Sequence, residues 1–213
     1  MTLDTDWDQR YSHPNHVYGY RPNDFLVEAS VMLPRRGRVL VLGDGEGRNG
    51  VWLAEQGHTV TTVDVSRVAV EKARAWASGK GVEVDAHVAD LRTWLDTDAA
   101  VGPWDAVVNI FGHFPPDLRV QVADTLTPRF TTRGVLIMEL FTPAQISMGT
   151  GGPSDESLLS TRERIQGEWP GLMLDIRMLE RRIFEGMAHQ GLSSVIQVLG
   201  RERRRVLQDE PVD

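Results

Sequence analysis

Val39-Leu40-Val41-Leu42-Gly43-Asp44-Gly45-Glu46-Gly47-Arg48-Asn49-Gly50 runs directly into Val51-Trp52-Leu53-Ala54, and the next apolar run ends at Asp64. Four consecutive apolar residues suit a short buried strand, and the glycines permit a sharp turn with no Cβ between the backbone and a ligand. Backbone N–H groups at such a turn, and at the start of the helix after it, bind polar or anionic groups. A carboxylate ending the second strand accepts hydrogen bonds from both hydroxyls of a ribose. The stretch therefore predicts a nucleoside cradle, and the open question is which nucleoside it takes.

Outward from this turn, periodicity predicts strands at 38–43, 59–64, 82–88, 104–110, 133–140, 172–183 and 192–201, and helices at about 23–33, 47–57, 66–79, 116–128 and 156–168. Gly57 after one helix and Thr127-Pro128 after another are short exits of the kind that βαβ crossovers use. The pattern reads as an α/β fold with a doubly wound, mostly parallel seven-stranded sheet. Between the last two strands, Phe184 to Gly191 leaves no room for a helix, so the chain should finish in an antiparallel hairpin.

With 213 residues, 41% of them hydrophobic, the chain supports a single domain over 1–213: a cap or lid at 1–35 and a Rossmann-like core at 36–213. No run approaches about 18 uninterrupted apolar residues. Asp4, Asp6 and Asp8 precede any apolar segment, the reverse of a signal peptide, so a cytoplasmic location without membrane contact is expected. Zero cysteines removes disulfides, thiolate nucleophiles, thiolate zinc sites and iron–sulfur clusters. A net charge of −7 argues against a nucleic-acid surface, and Arg201 to Arg205, followed by Asp209, Glu210 and Asp213, reads as a solvated strand end or tail. His13, His16, His58 and His87 are scattered without metal-ligand spacing, so no metal site is expected. The partner expected is a small molecule; oligomeric state stays open.

The glycine motif satisfies two cofactor fingerprints. Gly45-x-Gly47-x-x-Gly50, with Asp64 19 residues beyond Gly45, matches the dinucleotide pattern. That pattern normally starts at the strand end, here Gly43, and counted from there its third glycine position is Arg48, too bulky for close helix–sheet contact at a pyrophosphate. A Tyr-x-x-x-Lys acid/base pair is also absent, since the tyrosines are Tyr11, Tyr18 and Tyr20 and the lysines Lys72 and Lys80. The register fits S-adenosylmethionine (AdoMet) better. After the third strand, Val88-Ala89-Asp90-Leu91 puts a carboxylate beside the same cleft, where it can accept from an adenine amino group, cap the helix that starts at Leu91, or both. After the fourth, Asn109 to His113 should face the crevice at the carboxyl ends of the strands.

The chain at this point resembles the small class I AdoMet-dependent methyltransferases related to the tellurite-resistance (TehB-like) and thiopurine methyltransferases. The matching pieces span nearly its whole length: Trp7-Asp8-x-Arg10-Tyr11, Tyr18-Gly19, Pro22-Asn23-Asp24-Phe25-Leu26, Gly43 to Asn49, Val63-Asp64-Val65-Ser66, Ala89-Asp90-Leu91, Phe111-Gly112-His113-Phe114-Pro115-Pro116, Gly149-Thr150-Gly151-Gly152-Pro153, and Glu185-Gly186 followed by His189-x-Gly191. The resemblance implies that Asp64 holds the ribose hydroxyls, Asp90 and Leu91 the adenine, and Gly43, Gly45 and Gly47 the methionine part, with S-adenosylhomocysteine as product. Asp44, Arg48, Asn49, Val65, Ala89, Asn109 and Phe111 complete the implied cofactor set, and Phe111 to His113 flank the transfer pocket. One departure matters: Val41 stands where such enzymes often carry an acidic residue, which leaves Asp44, Glu46, backbone carbonyls or water for the methionine amino group.

Methyl transfer needs no dedicated nucleophile, but a hydroxyl or amine acceptor benefits from a general base, whereas a thiol, selenol or hydrosulfide ionises near neutrality. His113 is the candidate base, an imidazole ordinarily poised near pH 7; the alternative is a histidine bonded to backbone. Tyr11 is the second catalytic candidate. With Tyr18 and Tyr20 it either surrounds a sulfonium through cation–π attraction or packs as a cover. Tyr18, Tyr20, Asn23, His113, Glu185 and His189 are the candidate acceptor contacts. Gly149 to Pro153 is either a closing loop or a turn. The expected function is methyl transfer to a small molecule, first to a sulfur, selenium or tellurium nucleophile and second to oxygen or nitrogen; an NAD(P)-binding oxidoreductase and a catalytically silent AdoMet-binding module are the alternatives.

Overall fold

In the computed structural model, which describes residues 7–202, β1 (Arg38–Leu42) is buried on both faces, and its alternating side chains feed two separate cores. Leu40 and Leu42 join one with Trp94, Leu126 and Ile165, while Val39 and Val41 join another with Leu26 and Leu53. A continuous apolar strand serving two layers of helices is what a doubly wound sheet requires.

The elements run α1 (Trp7–Tyr11), α2 (Asp24–Ala29), β1, α3 (Arg48–Glu55), β2 (Thr59–Asp64), α4 (Arg67–Lys80), β3 (Asp85–Val88), α5 (Leu91–Trp94), β4 (Trp104–Ile110), α6 (Pro116–Leu126), β5 (Phe130–Phe141), α7 (Arg162–Glu168), β6 (Leu172–Glu185) and β7 (His189–Glu202). The seven strands lie in the order β3-β2-β1-β4-β5-β7-β6. β1 pairs in parallel with both β2 and β4, so the chain changes direction across the sheet between β1 and β4. A crevice opens at the carboxyl ends of strands at such a switch point. β7 inserts antiparallel between β5 and β6, and Glu185 pairs with His189 at the hairpin end. The parallel sheet with an antiparallel finish is as expected.

Boundaries differ where capping overrides periodicity. The helix expected at 156–168 starts at Arg162, because Thr161 accepts the Arg164 N–H and breaks it from a short 3-10 turn at Glu156–Leu158. β3 starts at Asp85 rather than 82, and α1 was not anticipated as a helix. Asp4 and Asp6 of the N-terminal acidic run, and the tail from Arg203 onward, lie outside the described residues. Among the described residues no helix is long and apolar enough to cross a membrane.

Candidate active site

Gly43, Gly45 and Gly47 all take positive φ, at +62°, +57° and +89°, so the turn after β1 is left-handed at alternate residues. Only glycine adopts this without strain. A Cβ on Gly45 would lie 2.6 Å from the Tyr11 hydroxyl, and one on Gly47 would lie 2.7 Å from the Ala73 Cβ. Gly45 thus admits the N-terminal cap, while Gly47 admits α4 against α3. Asp64 braces the turn from β2: its Oδ2 accepts the Gly45 N–H at 2.8 Å and its Oδ1 the Ser66 N–H at 2.9 Å. An ionised carboxylate offers about four acceptor positions. Each oxygen therefore keeps one lone pair, the set that a vicinal diol needs.

A cavity of about 890 Å³ opens over these groups at the carboxyl ends of β1, β2, β3 and β4. Gly43, Asp44, Arg48, Asn49, Asp64 and Val65 line it, as do Ala89, Asp90 and Leu91 on the adenine side expected from the sequence. Asp90 is also the N-cap of α5, accepting the Arg92 N–H at 2.8 Å, so the expected capping is present in a residue that lines the cavity. Tyr11, Tyr18, Phe111, His113 and His189 line the remainder.

Other expected positions fall elsewhere. Asn109 points away from the cavity, and its amide closes the 109–112 turn through paired bonds with the Gly112 N–H and C=O. Asn23 is fully buried as the N-cap of α2, donating to Glu139 and Glu185. Tyr20 is exposed, stacked on His16 and edge-on to Trp76. Glu185 is not at the cavity wall but in a buried ion pair, 2.7 Å from Arg48 Nη2. Gly45 and Gly47 shape the turn without lining the cavity. For Asn23, Tyr20 and Glu185 a hydrogen bond or packing contact distant in sequence takes the side chain that periodicity left free, while Asn109 is taken by its own turn.

At its far end the cavity is walled by rings. Phe111 stacks on Phe141 at 4.4 Å, His113 stacks on Phe141 at 5.4 Å, and His189 meets Phe111 and Phe141 edge-on at 4.9 and 5.1 Å. Phe111 itself sits at φ +54°, a strained conformation for a side chain of its size that turns its ring into this cluster. The expectation of an imidazole poised near neutrality at His113 is not met. Burial pushes its pKa down to about 3, with the Leu158 carbonyl opposing. Because a carbonyl only accepts, Nδ1 carries the proton across the 3.3 Å to Leu158, and Nε2 is left a buried acceptor without a partner.

The N-terminal cap is clasped from below. Glu46 accepts the Val17 N–H at 2.7 Å and pairs with Lys72 at 2.8 Å, while Asp8 accepts from the Ser66 hydroxyl at 2.6 Å. Burial, then the nearby Asp64 charge, raises the Tyr11 pKa, so the phenol stays protonated at neutral pH. Val41 is buried in the sheet and offers no polar contact. With Glu46 committed to the clasp, Asp44 is the other carboxylate of the glycine turn at the cavity, its pKa raised to about 7 by burial, with the Gly50 N–H opposing.

Sequence reading missed a polar girdle behind the site. Glu139, fully buried on β5, accepts from Arg181, Asn23 and Gln197. Arg119 of α6 bonds Glu168 and the carbonyls of Phe114 and Ser157, fixing the loop that carries His113. Glu139 lies in an apolar run, Leu136-Ile137-Met138-Glu139-Leu140-Phe141, where a charge demands a buried partner; that was the available signal.

Residues 39–129 match the family model described as a methyltransferase domain. A 2-heptyl-1-hydroxyquinolin-4(1H)-one methyltransferase from Mycobacteroides abscessus is 26% identical over 136 residues, 62% of this chain and 59% of that protein. The chain thus spans about three fifths of this curated relative's length. Among solved structures, TehB from Haemophilus influenzae superposes with a TM-score of 0.65 at 14% identity, over 84% of this chain and 61% of that one. A protein solved in work on conversion of a disulfide bond into a thioacetal group during echinomycin biosynthesis superposes at 0.70 and 20% identity, over 91% and 88%. The matched methyltransferase domain, the strand order and the cavity at the strand ends agree with the resemblance to class I AdoMet-dependent methyltransferases, and the solved structures share this fold.

Proposed function

We propose that this chain transfers a methyl group from AdoMet to a small, flat acceptor carrying an ionisable S–H, Se–H or Te–H group, with an O–H or N–H group as the second reading. One observation carries the proposal: the glycine turn, the strand-end carboxylates and an aromatic-walled recess share one cavity of about 890 Å³. Pockets of this size hold a cofactor and a small acceptor together. When bound, AdoMet supplies a methyl group already activated on a sulfonium. In this reading Asp64 takes the ribose hydroxyls, Val65, Asp90 and Leu91 the adenine, and Asp44 the methionine amino group in place of the residue absent at Val41.

The chain's own contribution is alignment and exclusion of water, effects worth about 7–11 kcal/mol when geometry is good. Phe111, His113 and His189 supply flat, neutral walls, backed by Phe141. The cavity's Arg10 and Arg48 are engaged with the Tyr18 hydroxyl and Glu185, which favours an uncharged aromatic acceptor over a bare oxyanion. The oxygen reading draws on the quinolone N-hydroxyl named for the relative from Mycobacteroides abscessus.

The test is mass-spectrometric detection of S-adenosylhomocysteine and methylated product from a panel of aromatic thiols, selenite, tellurite, phenols, N-hydroxyquinolones and amines. Fastest turnover of aromatic thiols is the expected result. Binding of S-adenosylhomocysteine without turnover of any member would mean a silent binding module. Affinity for NADH with none for S-adenosylhomocysteine would sink the methyltransferase activity altogether.

A further inference from the structure

We propose that His189, rather than His113, receives the acceptor's proton, with Glu185 as the positioning residue that orients its ring; this rests on the methyl-transfer reading of the same cavity. The two residues face each other across the hairpin end as a register pair of β6 and β7. His189 Nδ1, a buried atom with no hydrogen-bond partner, lies 3.6 Å from Glu185 Oε2, the oxygen that Arg48 Nη2 meets at 2.7 Å. An orphaned ring nitrogen able to donate faces a carboxylate oxygen able to accept, just beyond bonding range. Catalytic hydrogen bonds are often long before the substrate arrives and tighten with it.

Neither partner is free to leave. The His189 ring is held by Tyr18 at 4.7 Å and by Phe111 and Phe141, and a Cβ on Gly151 would lie 2.6 Å from its Cδ2, so only glycine leaves the ring its seat. Glu185 is fixed by Arg48 at 2.7 Å and by the Asn23 amide, which donates to Oε1 at 3.0 Å. With Nδ1–H aimed at the carboxylate, the lone pair sits on Nε2 at the opposite edge of a ring that lines the cavity. His113 has the same tautomer, but its Nδ1 proton goes to a carbonyl and no carboxylate faces the ring to stabilise an imidazolium. Arg48 directly follows Gly47, so the ion pair that steadies Glu185 also ties it to the cofactor turn.

The acceptor heteroatom forms its bond to the methyl carbon while its proton passes to Nε2. The carbon–sulfur bond of the sulfonium donor breaks with its electron pair going to sulfur, and the positive charge reappears on the imidazolium beside Glu185. The charged and titratable groups facing His189 are Glu185 of β6, Arg48 of α3, Arg10 and Tyr18 of the N-terminal segment, and His113.

The test uses the full chain saturated with S-adenosylhomocysteine, with nitrogen-15 NMR of the histidine rings, and 2-heptyl-1-hydroxyquinolin-4(1H)-one as the turnover probe. His189 should hold the Nδ1–H tautomer and lose that preference in Glu185→Gln. His189→Gln should lower kcat/KM at pH 7 by about 100-fold or more, the scale of a lost general base, and approach wild type above the acceptor's pKa. In Glu185→Gln the acidic limb of the kcat profile should move to lower pH, because the carboxylate that favours the imidazolium is gone. An Nε2–H tautomer, or an unaltered pH–rate profile in His189→Gln, overturns the assignment. If the wild-type chain does not turn the probe over, the oxygen-acceptor reading is wrong, and the tautomer alone decides for or against His189.

Discussion

Asp64 Oδ2 accepts the Gly45 N–H at 2.8 Å, so the carboxylate that ends the second strand also braces the glycine turn after the first. Ligand site and local backbone are one unit here. The residue proposed to hold a ribose also fixes the turn proposed to receive the rest of the cofactor.

Asp64→Ala should accordingly weaken S-adenosylhomocysteine binding by about 1.5–3 kcal/mol, the scale of hydrogen bonds to a charged group. Asp64→Asn keeps one acceptor oxygen and should lose less. Isothermal titration calorimetry measures both, and wild-type affinity in Asp64→Ala removes the residue from the binding role.

Gly45→Ala should destabilise the chain twice over, through a left-handed backbone that costs about 1–2 kcal/mol for a side chain and through collision with the Tyr11 hydroxyl 2.6 Å from the new Cβ. Adding Tyr11→Phe relieves the collision but not the backbone strain. Denaturant unfolding of the two single variants and the double should therefore show partial recovery. Strict additivity would mean that Tyr11 does not press on the turn.

Asp44 gives a pH dependence whose sign follows from its raised pKa of about 7, against an ordinary carboxylate value of 3.8 in the unfolded chain. Between those values the folded chain binds more protons than the unfolded one, so this group makes stability fall as pH rises through the window. The loss runs at up to about 1.4 kcal/mol per pH unit and is complete above the folded pKa. Asp44→Asn keeps an acceptor for the Gly50 N–H without the charge. Its melting temperature should fall less than that of wild type from pH 5 to pH 8; parallel curves would refute a buried, ionising Asp44.

Much of the cradle was legible because its chemistry is local. Gly43 to Gly47, Asp64 and Asp90 each lie within a few residues of the strand end that aims them, so spacing along the chain reads almost directly as position in the crevice. His113 shows where that reading stops. Its place at the cavity was legible, but its protonation was not, because burial, against rings such as Phe141 28 positions away, outweighs the Leu158 carbonyl 45 positions away. Tyr20 and Asn23 erred for a related reason. Both sit in a segment whose side chains alternate between cap and solvent only once the segment is laid over α4 and β5.

Periodicity and turn residues determined the alternation of strands and helices, the nucleoside cradle and the antiparallel finish, since each depends on side chains separated by one turn or one strand. Folding alone decided which carboxylates serve the ligand and which serve the frame. Glu185 meets Arg48 across 137 residues, and Glu139 meets Asn23 across 116. Pairings of that span arise from the stacking of β7 between β5 and β6, and a buried charge takes its role from whichever opposite group the packed sheet brings within reach.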